Sequence, residues 1–337
     1  MNKFKSITLL SLAVGLFLQS CSNDDSSITE PENRTYAKGI FILNEGNFNS
    51  TDAEITYYNP LTEVAVGKNP IQNIFKTENN GATLGSVGQS FYFKGEKAYI
   101  SLSGSNRIQV VNNTTFKTIT SITGNLNNPR YITSDNEHLY VSNWGDPKDT
   151  KDDYISVYKL NDLTYVTKYN VAEGPEKMLL DNDKLYVAQK GGWGFGNSVS
   201  IIDLKTGKIQ PVEVSDVPVG IEKEGNTLYV LCQGVSWGNI TSGALHKINI
   251  TSLEKETLHF NQGEHPDFLV KSNNTLYFTI GKSIYSMPIA AKSLPAKADF
   301  TTNATQIYGL DVKDNFVYVM DAKGFTQNGA LSIYDQT

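Results

Sequence analysis

From about residue 38 onward, apolar and polar residues alternate in short runs, each closed by Asn, Asp, Gly or Pro, with no stretch of helical apolar period. Alternation places every second side chain on one face of a strand, so the chain is expected to be all-β. One run recurs: Ile40-Phe41-Ile42, Ala98-Tyr99-Ile100, Leu139-Tyr140-Val141, Leu185-Tyr186-Val187, Leu228-Tyr229-Val230, Leu276-Tyr277-Phe278 and Val317-Tyr318-Val319. Its aromatic members are 58, 41, 46, 43, 48 and 41 residues apart. A strand-built repeat of that length is the size of one propeller blade.

Around this run each unit keeps one order. A first strand opens near a proline, as in Pro129-Arg130-Tyr131-Ile132, Pro175-Glu176-Lys177-Met178, Pro218-Val219-Gly220-Ile221 and Pro266-Asp267-Phe268-Leu269. The aromatic strand follows, then a third strand such as Ile155-Ser156-Val157-Tyr158. A turn such as Asp203-Leu204-Lys205-Thr206-Gly207 leads to a weaker fourth. Seven such units predict one domain over residues 38–337, a seven-bladed β-propeller of four-stranded antiparallel blades. The ends fit a ring poorly. The first unit begins on its aromatic strand, and the last reaches only its third strand, at Leu331 to Asp335. The propeller is therefore expected to be incompletely closed at its C-terminal end. Either Thr35 to Lys38 supplies a poor strand, or about twenty residues, roughly half a blade, are missing.

The three tryptophans, Trp144, Trp193 and Trp237, share one phase of the repeat. Each lies a few residues after an aromatic strand and beside glycine, in Asn143-Trp144-Gly145-Asp146, Gly191-Gly192-Trp193-Gly194-Phe195 and Ser236-Trp237-Gly238-Asn239. In a propeller these loops share a face with the turns that enter each first strand. The Trp loops of units three, four and five are thus expected to meet Arg130, Lys177 and His265 around the central channel, with Asn143, Gln189 and Gln233 adding amides and Phe195 a further ring. Such a mixture can stack on a planar or sugar-like ligand and fix it by hydrogen bonds. The alternative is that the indoles plug gaps between neighbouring blades.

Catalytic and metal chemistry has little to start from. His138, His246 and His259 are expected to be solvated, and His265 with Glu264 and Asp267 is a weak metal pattern. Asp146, Asp149, Asp152 and Asp153 form an acidic loop without EF-hand spacing and are expected to be solvated. No Gly-x-Ser-x-Gly elbow, phosphate loop or Cys/His pair occurs. The expectation is a binding protein, not an enzyme, with no catalytic residue, no metal and no cofactor. A metal-dependent lactonase using a channel carboxylate such as Glu45 is the enzymatic alternative.

The N-terminus sets the location. Lys3 and Lys5 precede an apolar run, Ile7 to Leu18, too short to span a bilayer, which marks residues 1–20 as a signal peptide. The following Leu18-Gln19-Ser20-Cys21 resembles a bacterial lipobox and implies lipid on Cys21 as a membrane anchor. Residues 21–37 are polar and expected to be a flexible tether. Their early acidic patch resembles the export signals of surface-exposed lipoproteins in some Gram-negative outer membranes. Removing residues 1–20, with two lysines and no acid, takes the formal charge from −6 to −8. That balance argues against nucleic acid as a partner. Cys232 is the one other cysteine; no disulfide framework is possible, and a buried strand position is expected for it.

The order of Pro, Leu-Tyr-Val, Ile-Ser-Val-Tyr and Thr-Gly turn resembles the YncE-like seven-bladed propellers. The opening Gly39-Ile40-Phe41-Ile42-Leu43-Asn44-Glu45-Gly46-Asn47-Phe48 resembles their lipoprotein subset, which includes BtuG-type cobalamin-capture proteins. The resemblance implies a surface lipoprotein that captures a scarce nutrient, a corrinoid, siderophore or similar molecule, for a TonB-dependent transporter. A protein-interaction propeller of the cell envelope is the alternative.

Overall fold

The computed structural model describes Tyr36, residues 39–60 and residues 70–336. The expected signal peptide, Cys21 and the tether up to residue 35 lie outside the described residues. The strands form seven antiparallel sheets in chain order, each made of consecutive neighbours. The first holds β1 (Ile40–Asn44) and β2 (Glu54–Tyr58); a five-residue helix, α1 (Ile74–Glu78), follows and packs Ile74 and Phe75 inward. The second holds β3 (Gly88–Lys94), β4 (Lys97–Leu102), β5 (Arg107–Asn112) and β6 (Thr118–Ile122). The third holds β7 (Pro129–Ser134), β8 (His138–Asn143), β9 (Tyr154–Lys159) and β10 (Tyr165–Asn170). The fourth holds β11 (Pro175–Asp181), β12 (Lys184–Gln189), β13 (Ser198–Asp203) and β14 (Ile209–Glu213). The fifth holds β15 (Pro218–Glu224), β16 (Thr227–Cys232), β17 (Ala244–Asn249) and β18 (Lys255–His259). The sixth holds β19 (Pro266–Ser272), β20 (Thr275–Ile280), β21 (Ser283–Pro288) and β22 (Phe300–Thr301), and the last β23 (Ile307–Lys313), β24 (Phe316–Asp321) and β25 (Ala330–Asp335).

The fold is an all-β propeller of four-stranded antiparallel blades, as the repeat predicts. The count of seven complete blades is corrected. Six sheets have three or four strands, the first is a two-stranded ribbon, and no strand pairing joins the last sheet to the first among the described residues. The reason lies in β1. It packs against β3 as β4 packs against β7, β8 against β11, β12 against β15 and β16 against β19. The first unit therefore starts at the second-strand position, and no described strand fills the place inside it. Nor did the alternation anticipate α1. Tyr36 falls in the stretch read as tether, yet its ring is buried edge-on against Tyr57 and Phe116.

Each Leu-Tyr-Val run is buried on both faces because its sheet is stacked between two others. In β12, Leu185 and Val187 join Tyr140, Ile155 and Val157 of the third sheet. Tyr186 and Ala188 point the other way, to Ile221, Leu228 and Val230 of the fifth. One strand thus serves two cores. The fourth strands lie at the rim; β10 is almost wholly exposed, which is why their sequence pattern is weak. Cys232 ends β16 fully buried, as expected, and burial pushes its thiol pKa up.

His246 departs from expectation: it lies inside β17, only 3% exposed, and is not solvated. The Ser215 N–H donates to its Nε2 at 2.8 Å, so the proton sits on Nδ1 and is donated to Thr257 Oγ1 at 2.9 Å. Burial, with Lys255 and His259 nearby, lowers its pKa to about 4 from 6.5. The folded state thus holds the imidazole neutral while the unfolded chain protonates it near 6.5, so stability is kept above that pH and lost as pH falls towards 4. The loss expected from this group is at most about 3 kcal/mol. Urea unfolding between those pH values should show a flatter slope for His246→Asn than for the parent; equal slopes would rule the histidine out.

Candidate functional site

The inner strands β3, β7, β11, β15, β19 and β23 pack side by side in succession, which brings the turns that enter them to one face. A backbone clasp recurs there. In five of the sheets the first N–H beyond the second strand donates to the carbonyl just before an inner strand: Ser103 to Val87, Trp144 to Asn128, Lys190 to Gly174, Gln233 to Val217 and Ala322 to Gln306, at 2.8–3.2 Å. The expected phase is therefore real: the loops carrying Trp144, Trp193 and Trp237 are equivalent, on adjacent sheets. At the clasp, Val87, Asn128 and Val217 hold the same left-handed φ as Gly174. Gly174 is needed for a different reason, close approach: a methyl group there would overlap the backbone nitrogens of Gly191 and Gly192. Gly174→Ala is expected to cost about 3 kcal/mol, measured by chemical unfolding.

Polar side chains at the strand ends pin the loops from below. Asn143 is buried; its Nδ2 donates to Val141 O and Ser156 Oγ, and its Oδ1 accepts the Asn127 N–H. Gln189, equally buried, donates to Ala172 O and accepts from Ser198 Oγ. Both are expected to touch ligand; in the structure both are buried and hydrogen-bonded inside the protein. Asp321 does the same in the last sheet, accepting the N–H groups of Thr305, Gln306 and Lys323, which hold its carboxyl well below the usual range against the cost of burial.

Above the pegs stands an arc of rings. Arg130 Nε donates to Glu176 Oε1 at 2.8 Å, and its guanidinium lies 3.8 Å over the Trp144 ring. Trp144, half-buried, meets Trp193 edge-on at 6.0 Å between centroids. Phe195 and Trp237 form a second pair at 4.9 Å. Trp193 and Trp237 are 64% and 65% exposed and Phe195 42%, so of the three indoles only Trp144 behaves as a plug. Glycines beside Trp193 and Trp237 carry positive φ and turn the loops sharply enough to raise the rings.

Other expected residues are linked to one another by hydrogen bonds. His265 Nδ1 donates to Gln233 O at 3.0 Å, and Gln233 Nε2 donates to Asp267 Oδ2 at 3.3 Å. Burial raises the Asp267 pKa, while the charges of Lys190 and Lys177 oppose the rise. Glu264 turns away to hold its own loop through the Asn261 N–H, so the three residues weighed as a metal cluster do not converge. Two further members meet at the ring's join: Tyr308, which the repeat places in an entering turn, and Phe325, which sequence reasoning did not single out. Tyr308 donates to Glu45 at 2.6 Å across the join between the last and first sheets, and Phe325 packs on Tyr308 at 5.0 Å. Burial and the Glu45 carboxylate both raise the Tyr308 pKa.

The acidic loop is also not wholly solvated. Asp146 and Asp149 cap their own turns in water. Asp152 and Asp153 point inward, and Asp153 is 1% exposed. Burial, then the Gly174 N–H acting against it, and the charges of Asp152, Glu173 and Asp149 together put its pKa at about 7.

Solved structures share the fold at low identity. A functionally unknown protein from Desulfotomaculum acetoxidans DSM 771 superposes with a TM-score of 0.63 at 11% identity, covering 89% of this chain and 92% of that one. The extracellular domain of the putative hybrid two component system BT4673 from B. thetaiotaomicron gives 0.62 at 14%, covering 92% of this chain and 41% of that one. BamB from Moraxella catarrhalis gives 0.53 at 12%, covering 83% and 78%. At such identities the likeness shows the propeller fold alone. No curated protein matches the sequence. No helix among the described residues is long and apolar enough to cross a membrane. Residues 38–337, the whole of the repeat region, match the family described as Domain of unknown function (DUF5074), and the chain belongs to that family.

Proposed function

We propose that the aromatic face captures a ligand outside the cell, on a lipid-anchored outer-membrane protein that hands a corrinoid, siderophore or similar nutrient to a TonB-dependent transporter. The observation that carries this reading is the exposure of Trp193 and Trp237, each buttressed by a second ring. Large rings held rigid in water are costly to leave bare and bind planar apolar surface with little further loss of freedom. Lys177, Gln233, His265 and Asp267 supply donors and acceptors for polar substituents. The lipobox-like Cys21 and the acidic stretch after it support surface anchoring, and the YncE-like, BtuG-type resemblance of the repeat supports capture in place of catalysis. One similar structure is itself an extracellular domain.

A second reading, a protein-interaction platform in the envelope, is favoured by one feature. Two shallow concavities lie away from the rings, one beside Tyr229 and Lys247 and one beside Glu78 and Asn79. Titrating intrinsic tryptophan fluorescence with cobalamin, haem, ferric siderophores and glycans separates the two. Saturable quenching is expected for capture. Its absence, with co-purification of a membrane protein, would favour the platform, and chelator-sensitive turnover of a lactone would favour a hydrolase.

A further inference from the structure

Four buried side-chain polar atoms lack a hydrogen-bond partner among the described residues, and three of them sit in the one loop between β8 and β9: Trp144 Nε1, Asp152 Oδ1 and Asp153 Oδ1. The second oxygen of each aspartate is used. Asp152 Oδ2 accepts the Asp146 N–H at 2.9 Å, and Asp153 Oδ2 accepts the Gly174 N–H of the turn entering the next sheet. The free oxygens therefore belong to side chains already locked in place. Asp153 is almost wholly buried, in the field of Asp152, Glu173 and Asp149. Lys148 and Lys151, in the same loop, are exposed, and no cation lies within 4 Å of either inward carboxylate among the described residues. Two buried carboxylate oxygens without a donor, amid further acidic groups, are satisfied by a positive charge.

We propose that this loop binds a divalent cation, calcium by its chemistry, between Asp152 and Asp153. All ligands at hand are hard oxygens, with no imidazole or thiol in the loop, which disfavours zinc and copper. No three carboxylate, imidazole or thiol groups converge among the described residues, so the site needs backbone carbonyls and water to complete the roughly six to eight oxygens that calcium takes. The position gives the ion a task. The loop begins at Trp144, between Arg130 and Trp193, and Asp153 ties it to Gly174 under the Trp193 loop. A cation here fixes the seam between the third and fourth sheets, and with it one half of the aromatic arc, whatever that arc binds.

Thermal unfolding of the full chain with calcium, magnesium or chelator tests this. Calcium at about 100-fold over its Kd should raise the midpoint by about 5 °C, and magnesium by less. Asp153→Asn should abolish the response yet unfold no lower than the parent in chelator, since the amide removes the repulsion. No shift at about 10 mM calcium, the weak end of known sites, would overturn the proposal. So would a shift that survives in Asp153→Asn, which places the ion elsewhere. If Asp153→Asn fails to fold, calorimetric titration of the parent and Asp152→Asn decides: one calcium per chain in the parent, and at least tenfold weaker in the variant, is required.

Discussion

Glu176→Ala is expected to lower stability by about 3–5 kcal/mol, the usual result of leaving one member of a buried ion pair without the other. Glu176 is buried and takes the Arg130 Nε hydrogen bond, while the guanidinium lies flat on Trp144. With the carboxylate gone, Arg130 keeps only the ring face, which offers about 1–2 kcal/mol at a partly desolvated site. Glu176→Gln keeps an acceptor and should lose less. Replacing both partners with apolar residues should recover much of the loss, since the buried charge goes too. Urea unfolding of the parent, each single apolar replacement and the double replacement forms a complete cycle. A loss below about 1 kcal/mol in Glu176→Ala would mean that water already screens the pair.

The double variant Trp193→Ala/Trp237→Ala is expected to lose at least about 100-fold in ligand affinity, since aromatic anchors at a binding centre are each worth about 2 kcal/mol or more. Its folding stability should stay within about 1 kcal/mol of the parent, because both rings are mostly in water and leave little cavity. Trp144→Ala should behave in the opposite way. That ring is half-buried between Arg130 and Trp193, so stability falls first and binding follows. Whichever compound quenches the parent serves as the probe, and fluorescence from the remaining Trp144 or calorimetry reads the affinity. Unchanged affinity in the double variant would move the site off this face.

The repeat was legible because its cause is local. Alternation and the Leu-Tyr-Val run fix which strands are buried on both faces, and Tyr186 and Leu185 point to opposite neighbours as the period of two demands. Phase alone placed three tryptophan loops on adjacent sheets. What phase could not give was depth. Asn143 and Gln189 lie one and four residues before a tryptophan, yet they are pegs under the loops, because the last residue of a second strand still points into the stack. His246 looked like a rim residue because β17 and β18 lie towards the outside; Ser215 from the preceding sheet's connection covers it. The Arg130–Glu176 pair spans 46 residues and two sheets, and the Tyr308–Glu45 bond joins opposite ends of the chain, so neither had a local signature. The count of blades failed for a related reason: the aromatic strand repeats seven times, but a blade is complete only when its neighbours in space are present.

The clasp at the base of five of these loops has a consequence for how this face changes over generations. Its hydrogen bonds run from backbone to backbone, so apart from the close-packed Gly191, Gly196 and Gly234 they ask little of the residues between Lys190 and Asn197 or between Gln233 and Ser242. Insertions, exchanges and wholesale transplants of one loop onto another sheet leave the frame's bonding intact. Recognition can therefore drift quickly while the scaffold stands still, and relatives that keep every Leu-Tyr-Val strand are free to hold quite different molecules.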